Sequence, residues 1–333
     1  MEELLVALGQ PHGGVIPGAA LRAIGYDSRR IERAIIEGRI VRIRHGAYAI
    51  GSVWRAARPA VKHRMLVIAT VLVSTRPLIV SHLSAAALHG LPTIGPWPSR
   101  VHVLDRSRDG TGSSRYQANH RGPSPDDTVV IDGVEVTTLV RTLVDVAASE
   151  PLLRSVAALD AALHAALAAP RPHRMTLDRA ILHAELDNLR PRRGYRAAER
   201  AIVFADARAE SVGESLSRVR MYELGFVLPD LQVRFAGVND GRDAVVDFFW
   251  KNLRLAGEFD GREKYTRGQD ASAEATPGDI VWSEKRREDA LRRTAVDSVA
   301  RWGWSDAISP VAFSNLLRAY GVPMHRGAPR PRR

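Results

Sequence analysis

The sequence predicts an α/β protein of the α+β type, and three observations predict it. Helical spacing with clear caps fills roughly the first forty residues and leads into a short two-strand pattern. Ala/Leu-rich helical stretches then alternate with short strand-like runs. The last third carries three apolar strand runs set off by Asn, Asp and Gly turns, between helices. A length of 333 residues fits two to three domains.

Composition narrows the class of partner. A formal net charge of +11 makes polyanions the expected partners, nucleic acid first among them. With 45% hydrophobic and 26% charged residues, the chain is too apolar for a disordered basic tail protein. The absence of cysteine excludes disulfide frameworks and thiolate zinc sites. The start Met1-Glu2-Glu3 lacks the basic-then-apolar pattern of a secretory signal, so cytoplasm is the expected compartment. The longest apolar run, Met65 to Val73, is far short of the roughly 18 residues a spanning helix needs. No membrane partner is expected.

Residues 1–52 read as a winged helix-turn-helix. A short helix around Leu4, Leu5 and Leu8 stops at Gly9, and Pro17 opens a second that carries Ala20, Leu21 and Ile24 and ends at Gly25. Asp27 or Ser28 caps a third helix. Its Ile31, Ala34 and Ile35 are spaced to pack inward, while Arg29, Arg30 and Arg33 fall on or near the opposite side, as in a DNA-recognition helix. Ile40-Val41-Arg42-Ile43-Arg44 alternates apolar and basic residues, turns at His45-Gly46 and returns through Ala47-Tyr48-Ala49-Ile50. That hairpin reads as a wing, with Arg42 and Arg44 against the DNA backbone.

Residues 53–205 read as a scaffold without a catalytic signature. Helices are expected over 58–74, 81–89, 138–148 and 152–168. Strands are expected at 100–104, near 119–121 and at 129–136. The stripe Val156, Leu159, Leu163, Leu167 suits packing or a homodimer contact. His82, His89, His102 and His120 lie on different elements and are read as isolated structural or surface groups. The run Arg190-Pro191-Arg192-Arg193-Gly194-Tyr195-Arg196 reads as solvated linker at a domain boundary.

Residues 206–320 carry the acidic pattern. Ser211 caps a helix with Glu214 in its first turn. Strands follow at 232–236, 244–250 and 253–260, then a helix from Ser283, a strand at 299–302 and a helix at 311–320. In a period-two strand Asp247 faces away from Val246 and Phe248, and Glu258 and Asp260 share a face opposite Phe259. Carboxylates so placed suit Mg²⁺ or Mn²⁺, which take oxygen ligands and keep several waters, and so suit phosphodiester hydrolysis. Gly257 and Gly261 bracket the acids with residues that permit close backbone approach. The tail 321–333 is basic and Pro-rich, and is expected to be disordered.

Two resemblances sharpen this. The order and acids of 206–320 resemble the PD-(D/E)XK nuclease superfamily, in particular its very-short-patch-repair-like group. The likeness implies Asp247 and Glu258 as metal ligands and Glu214 as the helix glutamate; beside them Glu214 or Asp260 would position a second ion or water. The lysine usual two residues after the second acid is replaced by Asp260, so Lys264 or Lys285 would supply the cation. The winged helix, followed by Ser81-His82-Leu83-Ser84-Ala85-Ala86-Ala87-Leu88-His89-Gly90-Leu91-Pro92, resembles the AbiEi family of type IV antitoxins. That likeness implies a DNA-binding autorepressor countering a neighbouring nucleotidyltransferase toxin without touching it. Together these readings favour a DNA-binding protein that joins a winged helix to a metal-dependent nuclease-like domain. The alternative is an autorepressor antitoxin whose nuclease-like domain is inactive.

Overall fold

The computed structural model describes residues 2–104, 113–123, 127–169, 176–239, 241–261, 290–293 and 296–325. The chain divides into two compact units, Met1–Leu159 with Met175–Ala205, and Asp160–Arg174 with Asp206–Arg333.

The first unit opens with helix α1 (Glu2–Gly9), strand β1 (Val15–Pro17), helices α2 (Gly18–Ala23) and α3 (Ser28–Ile36), and the hairpin β2 (Ile40–Arg44) and β3 (Ala47–Ile50). The caps behave as expected: the Asp27 carboxylate accepts the Arg30 backbone N–H at 2.7 Å, fixing the start of α3. Leu5, Ile16, Leu21, Tyr26, Ile31, Ala34 and Ile40 close one apolar core. Strand β1, too short to show a period of two, was not expected. It pairs antiparallel with β3 and completes a three-stranded sheet in the order β1-β3-β2, so the architecture is a winged helix.

The rest of the unit runs through α4 (Gly51–Ala56), α5 (Pro59–Leu72), β4 (Ile79–Val80), α6 (His82–Leu88), β5 (Val101–Leu104), β6 (Gln117–His120), β7 (Thr128–Ile131), β8 (Val134–Thr137), α7 (Leu139–Ser149), α8 (Leu152–Ala168), α9 (Arg179–Asn188) and α10 (Tyr195–Phe204). The sheet order is β6-β5-β4-β8-β7, with β4–β8 and β5–β6 parallel. The strand pieces expected over 129–136 are two paired strands, β7 and β8, because Asp132 and Gly133 both take positive φ and reverse the chain. The run 190–196 is not a solvated linker: Tyr195 begins α10, and the Arg192 side chain, 15% exposed, pairs with Asp145. Local charge density marked it as surface, but tertiary pairing with a buried carboxylate overrides that pattern.

The second unit takes α8 from Asp160 on, then α11 (Val212–Glu223), β9 (Asp230–Asn239), β10 (Arg242–Trp250), β11 (Leu255–Phe259), β12 (Ser298–Trp302), α12 (Trp304–Ile308) and α13 (Pro310–Ala319). Its sheet order is β12-β11-β10-β9, antiparallel except for β11–β12. Val246 and Phe248 are fully buried on the β10 face opposite Asp247. A buried polar knot ties α8 to α11. Asp160 accepts Arg218 Nη1 and Ser215 Oγ, both at 2.8 Å, and the Asp206 backbone N–H at 2.7 Å. Burial pushes the Asp160 carboxyl up to about 6 against the pull of Arg218. The helix expected from Ser283 lies mostly outside the described residues, as do Lys264 and Lys285; residues 290–293 are helical.

Candidate functional site

Three regions bear on function: the outer face of the winged helix, a polar row across the second unit's sheet, and a histidine cluster in the first unit.

On the winged helix, Arg29, Arg30, Arg33 and Arg42 are exposed, while Ile31 and Ala34 seat α3 in the core. The arginines are not equivalent. Arg30 lies over the Tyr26 ring at 4.3 Å and donates to the Gly25 carbonyl. Arg44 lies over the Tyr116 ring at 4.6 Å and is half-buried, and burial lowers its pKa. The Arg29 and Arg33 side chains form no ion pair or hydrogen bond among the described contacts and are exposed to solvent.

In the second unit the strand registers assemble a row. Val246↔Val233 and Phe248↔Leu231 bracket Asp247 opposite Gln232. Phe248↔Gly257 extended by one step sets Asp247 opposite Glu258, and Glu258 pairs in register with Arg301. Directly opposed strand residues share a face. Gln232, Asp247, Glu258 and Arg301 therefore line one face from edge to edge, with Glu214 brought against it by α11. Glu214 is 2% exposed. Its Oε1 accepts Ser211 Oγ at 2.7 Å, and its Oε2 accepts the Glu210 backbone N–H at 3.0 Å and Gln232 Nε2 at 2.9 Å. The same Gln232 amide reaches Asp247 Oδ1 at 3.5 Å, and Asp247 Oδ2 accepts the Phe259 backbone N–H at 2.8 Å. Glu258 Oε2 pairs with Arg301 at 3.1 Å, and Asp260 is exposed just beyond the end of β11.

The structure brings Glu214, Asp247 and Glu258, each marked in the sequence, into one neighbourhood, and adds Gln232 and Arg301, which the sequence pattern did not connect to them. The signal for Gln232 was its position on β9, two residues into a strand whose partner's acid was already marked.

Two glycines explain the packing around the row. A Cβ on Gly213 would stand 2.0 Å from the Phe259 ring, so glycine lets α11 close on β11. A Cβ on Gly257 would stand 2.6 Å from the Trp302 ring and 3.0 Å from that of Trp250. The bare face at Gly257 is filled by indole, and it does not serve the approach of a ligand to the backbone. Neither do the acids form an ion cage as they stand: among the described residues no group of three or more His, Cys, Asp or Glu is placed to hold a metal ion. Asp247 is committed to a backbone N–H and Glu258 to Arg301.

The histidines read as scattered come together in the first unit. His82 at the start of α6 stacks on His120 of β6 with ring centroids 3.6 Å apart, and His102 of β5 lies 4.8 Å from His120. Beneath them Asp145 of α7 is fully buried, with Oδ1 held by Arg141 Nε at 3.0 Å and Arg192 Nη2 at 2.8 Å. His82 Nδ1 bonds Ser81 Oγ at 2.9 Å and stands 3.9 Å from Asp145 Oδ2. His63 Nε2 bonds Ser84 Oγ at 3.0 Å, with its ring stacked on Trp97. Burial lowers His63 and His102 to about 4, and burial with the neighbouring imidazoles and guanidiniums holds His82 well below the usual imidazole range. His89 does stand apart, bonded to the Thr137 carbonyl at 2.8 Å.

A winged helix continuous with a mixed five-stranded domain, plus a second α/β unit, defines the class. Residues 79–201 match the model of the AbiEi antitoxin C-terminal domain family. The chain is 30% identical over 238 residues to the uncharacterized protein Rv2248 of Mycobacterium tuberculosis strain H37Rv, and equally to the uncharacterized protein MT2308 of strain CDC 1551. These matches cover 71% of this chain and 79% of each relative. The chain belongs to the family of these mycobacterial proteins. The crystal structure of the RV2827C protein from Mycobacterium tuberculosis overlaps with a TM-score of 0.33 at 14% identity, over 60% of this chain and 74% of that one. Among the described residues no helix is long and apolar enough to cross a membrane.

Proposed function

We propose that this protein is a DNA-binding regulator of the antitoxin type, which docks α3 in the major groove and lays the β2–β3 wing along the backbone. The observation that carries the reading is the division of α3: a capped helix seated by Ile31 and Ala34, with Arg29 and Arg33 extended and uncommitted on its outer side. Arg42 on the wing adds a phosphate contact, while Arg44, packed over Tyr116, contributes less. The match of residues 79–201 to an antitoxin domain supports repression of its own operon and a neighbouring toxin as the functional partner. The nucleotidyltransferase identity of that toxin and antagonism without direct contact extend the reading. The basic net charge supports a strong salt dependence of DNA affinity. Binding of the purified protein to its own promoter, against a scrambled duplex of equal length, tests the proposal. Loss of discrimination between the two would end it.

A second reading is favoured by one observation, the row that sets Asp247 opposite Glu258 beneath Glu214. In it these acids, with Asp260 and a lysine at 264 or 285, would hold Mg²⁺ or Mn²⁺ for phosphodiester hydrolysis. It requires Glu258 to leave Arg301, since the described arrangement forms no ion site. Incubating supercoiled, linear and single-stranded DNA with each metal, alongside Asp247→Ala, separates the readings: promoter binding without cleavage leaves only regulation.

A further inference from the structure

The histidine cluster of the first unit holds several buried polar atoms that find no hydrogen-bond partner among the described residues. Among the described residues, His102 Nδ1, His120 Nε2, Asp145 Oδ2 and Arg192 Nε have almost no solvent access and no hydrogen-bond partner. Buried polar groups are nearly always paired, so a set of unpaired ones in one place has hydrogen-bonding capacity to offer a ligand. The four atoms sit on β5, β6, α7 and the segment before α10, elements the chain brings together from 90 residues apart. The cluster is graded in depth: Asp145 and Arg141 lie at the floor, while His102, His120 and Arg192 retain partial exposure at the rim.

Its charge and its hydrogen-bonding capacity point to a ligand class. Two guanidiniums share one carboxylate, which leaves a net positive site, and exposed Arg100 adds to the positive field at His102 and His120. A divalent cation is disfavoured by that balance, and among the described residues no group of three or more His, Cys, Asp or Glu is placed to hold one. An anion is favoured. Imidazole N–H groups and Arg192 Nε can donate to its oxygens. Asp145 Oδ2, which accepts no hydrogen bond among the described residues, is an acceptor, so beside a bound anion it needs a donor in return. An oxyanion that still carries a proton supplies one; sulfate, fully ionised near neutral pH, cannot.

We propose that His82, His102, His120, Asp145 and Arg192 form a binding site for a protonated oxyanion, phosphate or a phosphate monoester, with the Asp145 carboxylate selecting it against sulfate. Full-length protein titrated calorimetrically with inorganic phosphate, sulfate and a nucleoside 5′-monophosphate tests this. Saturable phosphate binding at least about tenfold tighter than sulfate is expected. Asp145→Asn, which can donate where Asp145 accepts, should erase that preference. His120→Gln and Arg192→Gln at the rim should weaken phosphate by about tenfold, and they carry the test if Asp145→Asn fails to fold. Tighter binding of the nucleotide assigns the site to a monoester, and tighter binding of inorganic phosphate to the free ion. Equal affinity for phosphate and sulfate, or no saturable binding of either phosphate form, would overturn the proposal. So would rim variants that bind like the native chain. None of these results bears on promoter recognition, which is read separately.

Discussion

The polar row of the second unit and the histidine cluster of the first are built oppositely. The row takes one residue from each of four neighbouring strands, so its members meet by register alone, with Glu258 against Arg301 and Asp247 against Gln232. The cluster draws on α6, β5, β6, α7 and the segment ahead of α10, and only the closed tertiary fold brings its members together. The row keeps partial contact with solvent, whereas the cluster encloses a fully buried carboxylate between two guanidiniums. Polar groups that assemble by register need little burial to meet; those that assemble by tertiary packing are costly to leave unpaired.

The largest effect should therefore come from the cluster. Asp145→Ala leaves Arg141 and Arg192 without their shared partner, and a loss of about 3–5 kcal/mol is expected in urea unfolding. Asp247→Ala, in the row, should cost about 1–2 kcal/mol by the same measurement. Equal losses would remove the contrast between the two regions.

Acid should also strike the first unit. His63 and His102 titrate near 4 when folded against 6.5 unfolded, so the unfolded chain binds the extra protons. Their neutral forms contribute stability that is fully present above pH 6.5 and is lost as the pH falls towards 4. For the deeply buried His63 alone the loss across that window is about 3 kcal/mol. Urea midpoints between pH 7 and 4.5 measure it, and a flat profile would show that the rings are not held neutral by burial. Asp160 works in the reverse sense in the second unit. Its raised folded pKa, about 6, favours the native state at low pH and loses that contribution as the pH rises from about 4 through 6.

Gly213→Ala sharpens the account of how Glu214 reaches the row. The added carbon meets the Phe259 ring, and about 1–3 kcal/mol of destabilisation is expected, seen as a lower Tm. Arg301→Gln should give the smallest effect, below about 1 kcal/mol, because that arginine is 38% exposed.

The same contrast explains what the sequence made legible. Caps, glycine stops and period-two runs are local signals, so Asp27 before α3, Ser211 before α11 and the acids of β10 and β11 could be read residue by residue. Gln232 was missed because a strand glutamine carries no local mark; its meaning comes from lying between Glu214 and Asp247. His82, His102 and His120 looked isolated because their proximity depends on the β5–β6 pairing and the docking of α6 and α7. Arg192 looked like linker because local charge cannot reveal a buried partner 47 positions earlier in the chain.

The central claim is that the outer face of α3 and its wing read DNA. Fluorescence anisotropy with a labelled duplex from the protein's own promoter, over a series of salt concentrations, tests it most directly. The native chain should bind it at least about a thousandfold more tightly than a scrambled duplex and lose affinity steeply with salt. The combined Arg29→Ala, Arg33→Ala and Arg42→Ala variant should lose at least about a hundredfold while keeping the native Tm. Unchanged promoter affinity in a folded triple variant would contradict the account.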